Sequence, residues 1–68
     1  MDVQAILDGY ETRAKALGKS VAALCKDARV ESSQWRRWRR GKTSPTVESL
    51  NKIETALEAD PSREQVGG

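Results

Sequence analysis

The segment from Gln34 to Gly41 contains the residues whose types and spacing best fit a chemical role. It reads Gln-Trp-Arg-Arg-Trp-Arg-Arg-Gly. At about 100° per residue on a helix, Trp35 and Trp38 point to one side and most of the arginines to the other. An indole pair is typical of a buried face. Guanidinium groups bind phosphates and base edges, so the segment predicts a helix that packs on a core and offers a surface to a polyanion.

Positive charge is concentrated around this segment. Residues 26–42 hold seven basic and two acidic side chains, a formal charge of +5, whereas the rest of the chain has a formal charge of −3. The overall charge of +2 hides this asymmetry. A short basic stretch within an otherwise acidic chain favours a polyanionic partner.

The composition argues against catalysis. The chain has no histidine and a single cysteine, Cys25, so one chain can form neither a zinc cluster nor a disulfide. No serine, cysteine or carboxylate has a companion placed for general acid or base work. We therefore expect a protein that is not an enzyme and that uses no cofactor, metal or small-molecule substrate. Cys25, at a small packed helix position, is expected to be inert.

The sequence predicts neither a membrane-spanning segment nor a secretion signal. No apolar run approaches the roughly 20 residues that a membrane span needs. The first residues lack a cationic segment followed by a hydrophobic stretch. A cytoplasmic protein is the resulting expectation.

Hydrophobic spacing predicts the elements that position the basic segment: a compact all-α domain over residues 1–60 with four to five helices. The first helix is predicted over residues 2–17, the second over 21–28, the third from Glu31 or Ser32 to Gly41, and the fourth over 46–59. Ser20 is the predicted N-cap of the second helix and Thr46 that of the fourth. A further turn is predicted over 60–64, within a short tail at 61–68. The inward positions are Val3, Ile6, Leu7, Tyr10, Ala14, Leu17, Leu24, Cys25, Ala28, Val30, Trp35, Trp38, Val47, Leu50, Ile53 and Leu57.

The second and third helices are joined by too few residues to lie antiparallel, which indicates a helix-turn-helix unit. From Ser20 to about Leu57 the sequence resembles the lambda-repressor-like (Cro-type) helix-turn-helix family. The matching features are Ser20, Leu24, Cys25, Ala28, Val30, Ser33, Trp35, Trp38, Arg40-Gly41-Lys42, Pro45, Glu48, Leu50 and Ala56-Leu57. Two positions depart from the family pattern. Arg29 stands where a turn glycine is usual, which predicts strain or a remodelled turn, and Val21 stands where a phosphate-binding glutamine is frequent.

The resemblance implies a sequence-specific double-stranded DNA-binding transcriptional regulator of the phage-repressor or Cro type. Residues 32–40 would form the recognition helix in the major groove of an operator. It assigns base reading to Ser32, Ser33, Arg36 and Arg37. Phosphate contacts are expected from Arg40, Lys42, Thr43 and Ser44. Arg39 is expected to reach a flanking phosphate or to shield Trp38, and Arg29 could act likewise from the turn. A weak homodimer completed on DNA is the expected assembly.

Other interpretations of the same residues stay open at this point. An antitoxin-like or adaptor module could bind an acidic protein with the same basic face. An RNA-binding protein could use this face as well. The arginine face could also be a solvated helix surface. Stacking of the tryptophans on unpaired bases, or binding of the Arg/Trp helix to an anionic membrane surface, would require exposed indoles.

Overall fold

A computed structural model describes residues 2–59 of the chain, and this range contains four helices and no strand. They are α1 (Val3–Ala16), α2 (Val21–Ala28), α3 (Ser32–Arg39) and α4 (Val47–Glu58). The all-α class is confirmed, and each helix lies within two residues of its predicted bounds. The predicted turn at 60–64 and the tail at 61–68 lie outside the described residues.

Three of the helices begin at a side chain that satisfies a free backbone N–H. The carboxylate of Asp2 accepts from the amide of Ala5 at 3.2 Å, and the hydroxyl of Ser20 accepts from Ala23 at 3.1 Å. Thr46 caps α4 in the same way, through the amide of Ser49 at 3.1 Å. The predicted caps at Ser20 and Thr46 are confirmed. Such a cap stabilises a helix by about 1 kcal/mol, which matters in a domain this small.

The first three helices end with the same backbone motif. In each, one residue adopts a left-handed conformation and the next amide donates to the carbonyl five residues earlier, which is the Schellman arrangement. Two of the left-handed residues are glycines, Gly18 (φ 75°) and Gly41 (φ 76°), and the third is Arg29 (φ 59°). The closing hydrogen bonds are 2.9 Å for α1, 2.9 Å for α2 and 3.0 Å for α3.

One hydrophobic core joins all four helices. The most extensive contact is between α2 and α4, while α1 packs against each of the other three. The buried residues are Leu7, Tyr10, Ala14, Leu24, Cys25, Ala28, Val30, Trp35, Trp38, Ile53 and Leu57. All of them were predicted inward positions. Val3, Ile6, Leu17 and Leu50, also predicted inward, are partly buried against this core.

The prediction for Val47 is wrong. Its side chain is 73 % exposed, the largest exposure of any large hydrophobic residue in the described range. At 100° per residue, Val47 is rotated by about 90° from the centre of the stripe formed by Leu50, Ile53 and Leu57. It also lines the open cleft between the end of α2 and the start of α4. Because three residues advance by about 300° rather than a full turn, continuing the spacing of three from Ile53 and Leu50 puts Val47 at the edge of the apolar stripe.

Two titratable groups lie in the core. Burial raises the pKa of the Cys25 thiol, which keeps it protonated at neutral pH and agrees with an inert cysteine. Burial, reinforced by the nearby Glu54 carboxylate, raises the pKa of Tyr10. Glu54 also forms an ion pair of 2.7 Å with Arg13, which joins α4 to α1 at the surface.

Candidate nucleic-acid interface

The two tryptophans anchor α3 to the core. Trp35 and Trp38 are each only 4 % exposed, and their ring centroids lie 6.1 Å apart with a 57° tilt between the planes. This spacing and tilt belong to the favourable range for aromatic pairs. The predicted burial is confirmed. Base stacking and membrane binding through the indoles therefore lose their structural basis, since both would need the rings at the surface.

The opposite side of α3 faces solvent. Ser33 is half-buried and its neighbours on that side are exposed, namely Ser32, Arg36, Arg37 and Arg40. Helical spacing places Ser33, Arg36, Arg37 and Arg40 within about one third of the circumference. We call these four residues the arginine face. Among the residues that the structure describes, these four make one acidic contact, at the edge of the face, where the Ser33 hydroxyl donates to Glu31 at 3.4 Å. The arginine side chains are therefore free to meet an anion.

The dimensions of α3 suit a groove of B-DNA. The helix has 8 residues, which corresponds to a length of about 12 Å. Its first two residues are serines, whose small side chains let the backbone approach a surface closely there. Three basic residues, Arg36, Arg37 and Arg39, lie in its last turn, where they also complement the helix dipole.

The connection before α3 keeps a tight left-handed turn despite the absence of glycine. Arg29 has φ 59° and ψ 40°, and Val30 donates from its amide to the Cys25 carbonyl at 2.9 Å. Val30 is buried above Cys25, as the hydrophobic contact of a Schellman motif requires. The turn is thus not remodelled. Arg29 takes the conformation that glycine would adopt more easily, at a cost of about 1 kcal/mol.

The loop after α3 exposes further polar groups. Gly41 reverses the chain, and the Lys42 amide closes the helix by donating to the Arg37 carbonyl at 3.0 Å. Lys42, Thr43 and Ser44 are then exposed before Thr46 begins α4. Within residues 2–59, the hydroxyls of Thr43 and Ser44 have no hydrogen-bond partner. These three side chains are thus exposed in the loop that directly follows α3.

Arg39 is oriented differently from the other arginines of α3. Its Nη2 lies 2.7 Å from a carboxylate oxygen of Asp8, and its Nε lies 3.5 Å from Glu11. Its Nη1 donates to both the main-chain and the side-chain oxygen of Gln4, at 3.3 and 3.2 Å. Every nitrogen of the guanidinium group therefore faces an acceptor on α1. The structure does not bring Arg39 together with the arginine face.

Gln4 completes this connection between α1 and α3. Its amide nitrogen donates to the Trp38 carbonyl at 2.8 Å while its amide oxygen accepts from Arg39. We call Gln4, Asp8, Glu11 and Arg39 the α1–α3 clamp. Sequence reasoning missed Gln4 and both acidic partners. The available signal was the spacing of positions 4, 8 and 11 along one side of α1, next to its apolar stripe.

Arg29 lies apart from the arginine face as well. It lines an open cleft between the end of α2 and the start of α4, together with Asp27, Val47 and Glu48. The cleft has a volume of about 580 Å³. Its acidic and basic side chains are mixed, so it lacks the uniform positive charge of the arginine face.

The cations of the arginine face and the following loop have no acidic partners. In the described part of the chain, all the ion pairs involve other bases, and Arg36, Arg37, Arg40 and Lys42 take part in none of them. Four cations on the outer side of α3 and in the loop after it thus form no ion pair with any residue between positions 2 and 59. Such a surface attracts a polyanion and raises its local concentration.

One exposed residue of α3 was not among the predicted site residues. Gln34 lies at the flank of the arginine face next to Arg37 and is exposed. Its amide can both donate and accept hydrogen bonds, as adenine recognition requires. The signal that could have found it is its position in the first turn of a predicted recognition helix.

Comparison of the chain with protein-family profiles, with curated proteins and with solved structures gave no match. None of the helices in the described range combines the length and apolar character that a membrane crossing requires.

Proposed function

We propose that this domain is a sequence-specific double-stranded DNA-binding transcriptional regulator with a lambda-repressor-like helix-turn-helix. The recognition helix is α3. The observation that carries the proposal is the pairing of two opposite faces on one short helix. The indoles of Trp35 and Trp38 fix one face in the core. The other face presents Arg36, Arg37 and Arg40 to solvent, and none of them has an acidic partner among residues 2–59.

Base reading is assigned to the N-terminal and central part of α3. Arg36 and Arg37 can each offer a guanidinium fork to O6 and N7 of guanine. Ser32 and Ser33 can donate to or accept from several base edges, and their small size lets the start of the helix enter the major groove. An operator with at least one guanine in each recognised half-site is the expected preference.

Phosphate binding is assigned to the end of α3 and the following loop. Arg40 and Lys42 supply charge, while Thr43 and Ser44 supply hydroxyl and main-chain donors. These contacts fix the register of α3 on the duplex without reading its sequence. Each phosphate that is neutralised lowers log K by about 0.9 for each tenfold rise in salt, so binding is expected to weaken steeply with ionic strength.

Assembly on DNA is proposed to be a weak two-fold dimer. Leu57, an apolar residue near the end of α4, is only 1 % exposed and belongs to the core, so it offers no surface to a second copy. Association in the free state is therefore expected to be weak, with two half-sites about one helical turn apart bringing two copies together.

The decisive experiment is selection of bound duplexes from a random pool, followed by mobility-shift titrations of the selected duplex. A scrambled duplex of equal length, an RNA hairpin and polyglutamate serve as competitors. Preference for the selected duplex by at least about a thousandfold over the scrambled one would support the proposal. Equal binding to all duplexes, or tighter binding to RNA or to polyglutamate, would contradict it. The last outcome would favour a protein-binding module.

A further inference from the structure

We propose that Arg39 is a positioning residue for DNA recognition rather than a phosphate ligand. Asp8 and Glu11 on α1 hold its guanidinium group and thereby keep it away from the DNA backbone. The inference rests on the proposed function, and it assigns opposite roles to neighbouring arginines of one helix.

The contact geometry separates Arg39 from Arg40. The three guanidinium nitrogens of Arg39 have four acceptors on α1 at 2.7 to 3.5 Å, and its side chain is 32 % exposed. Arg40 is exposed and, among the described residues, has no acidic partner. A guanidinium group whose nitrogens are all engaged would have to break charge-assisted bonds before it could bind a phosphate. Arg40 has no such bonds to break.

The clamp acts at a position that controls the direction of α3. Arg39 is the last residue of the helix, and Gln4 binds the carbonyl of its neighbour Trp38. The buried indoles hold one side of α3 in the core. Directed hydrogen bonds from α1 add the angular restraint. The bases that Arg36 and Arg37 can reach depend on that angle, because a bidentate contact tolerates little misalignment.

The carboxylates have a second effect, on non-specific binding. A free Arg39 would add one cation to the surface and one phosphate contact to every duplex, whatever its sequence. By engaging that cation, Asp8 and Glu11 limit sequence-independent affinity while Arg36 and Arg37 remain available for bases. The clamp thus lowers the total affinity for DNA but raises the ratio of specific to non-specific binding.

The test uses the whole chain and measures duplex affinity as a function of salt for the selected and the scrambled duplex. Four proteins are compared: the unmodified chain, Arg39→Gln, Asp8→Asn combined with Glu11→Gln, and all three substitutions together. Arg39→Lys is added because it keeps the charge without the planar fork. Circular dichroism sets a temperature at which every variant is folded.

Arg39→Gln is expected to leave the salt slope unchanged and to lower the ratio of specific to non-specific affinity about tenfold, and Arg39→Lys to lower that ratio to a similar extent. The two acid substitutions are expected to increase the magnitude of the slope by about 0.9 on both duplexes, because the released Arg39 then neutralises a phosphate. This increase should vanish when Arg39 is also replaced. That last comparison separates release of Arg39 from a general loss of negative charge.

A slope whose magnitude falls by about 0.9 in Arg39→Gln would identify Arg39 as a phosphate ligand and would overturn the inference while the proposed function stands. An increase that persists in the triple variant would overturn it as well, since the cause would then be the lost acidic charge. Absence of duplex binding by the unmodified chain would overturn the proposed function and, with it, this role of Arg39.

Discussion

The side-chain amide of Gln4 donates a hydrogen bond of 2.8 Å to the main-chain carbonyl of Trp38, which lies 34 residues later in the chain. This bond joins the first turn of α1 to the last turn of α3. It is partly buried, and neither partner could be recognised from its immediate sequence neighbours. Its contribution to the stability of the domain can be measured directly.

Gln4→Ala is expected to lower the free energy of unfolding by about 1 to 2 kcal/mol, because it removes the bond to Trp38 and one acceptor of Arg39. The matched control is Gln34→Ala, since Gln34 is an exposed glutamine on α3, and its replacement should change stability by less than about 0.5 kcal/mol. Urea unfolding followed by circular dichroism gives both values. Equal effects of the two substitutions would show that the Gln4 bond contributes nothing.

Replacement of either buried indole is expected to have a larger effect. Trp35→Ala or Trp38→Ala should cost about 3 to 5 kcal/mol, which is a large part of the total stability of a domain this small. Trp38→Phe should cost less, because it retains most of the apolar volume. Arg37→Ala, on the exposed side of the same helix, is the control and should stay within about 0.5 kcal/mol of the unmodified chain. Unchanged thermal unfolding of the alanine variants would refute the buried placement.

At the left-handed positions, introducing a glycine and removing one should change the free energy of unfolding in opposite directions. Arg29→Gly is expected to stabilise the domain by about 0.5 to 1 kcal/mol relative to Arg29→Ala, since only glycine adopts φ 59° without steric cost. Gly41→Ala should destabilise by about 1 kcal/mol for the same reason. Gly9→Ala is the contrasting control. Gly9 lies inside α1, has open space around the position of an added Cβ, and should therefore gain about 0.5 to 1 kcal/mol. The same direction of change at Gly9 and Gly41 would contradict the assigned backbone conformations.

The proposed DNA contacts differ in what they should do to specificity. Arg36→Ala or Arg37→Ala is expected to cost about 1 to 3 kcal/mol of affinity for the selected duplex and to relax the preference at one base pair. Lys42→Ala should weaken the selected and the scrambled duplex alike and reduce the magnitude of the salt slope by about 1. Mobility-shift titrations at several salt concentrations distinguish the two classes. If all three variants behaved alike, the division into base-reading and phosphate-binding residues would be wrong.

Because the Cys25 thiol is buried, we expect the domain to lose stability at alkaline pH. Burial raises its pKa in the folded state above the ordinary value of 9.0, so the unfolded chain loses this proton first as the pH rises. The free energy of unfolding should therefore fall as the pH rises above about 9, by at most about 1.4 kcal/mol per pH unit. Cys25→Ala should abolish this part of the pH dependence. Tyr10, whose pKa is also raised, adds a further decrease only above about pH 10. An unchanged slope in Cys25→Ala would contradict the assignment to the thiol.

Much of the fold followed from local signals. The apolar spacing that placed Leu7, Leu24 and Ile53 inward depends only on the 3.6-residue helical period, and the caps at Ser20 and Thr46 depend on residues within one turn. The opposite faces of α3 followed from the same period. These features are properties of single helices, which explains why no knowledge of their mutual packing was needed.

The features that the sequence analysis predicted wrongly or missed depend instead on how the helices pack against each other. Val47 continues the spacing of three from Leu50 and Ile53, yet it lies at the edge of the buried stripe and is exposed in the cleft between α2 and α4. The partners of Arg39 lie on α1, more than twenty residues away, so its orientation depends on how two helices approach each other. From the sequence, Arg39 was expected to reach a flanking phosphate or to shield Trp38, and helical position could not decide between these roles. Only the tertiary contacts distinguish it from Arg40.

The burial of Trp35 and Trp38 also gives the chain an optical reporter of its own. They are its only tryptophans, and both lie on the inner side of α3. Intrinsic fluorescence of the unlabelled protein is therefore emitted almost entirely from the reverse side of the surface that is proposed to meet DNA. A ligand that binds the arginine face without moving α3 should leave the wavelength of maximum emission unchanged. A ligand that rotates α3 should shift that wavelength.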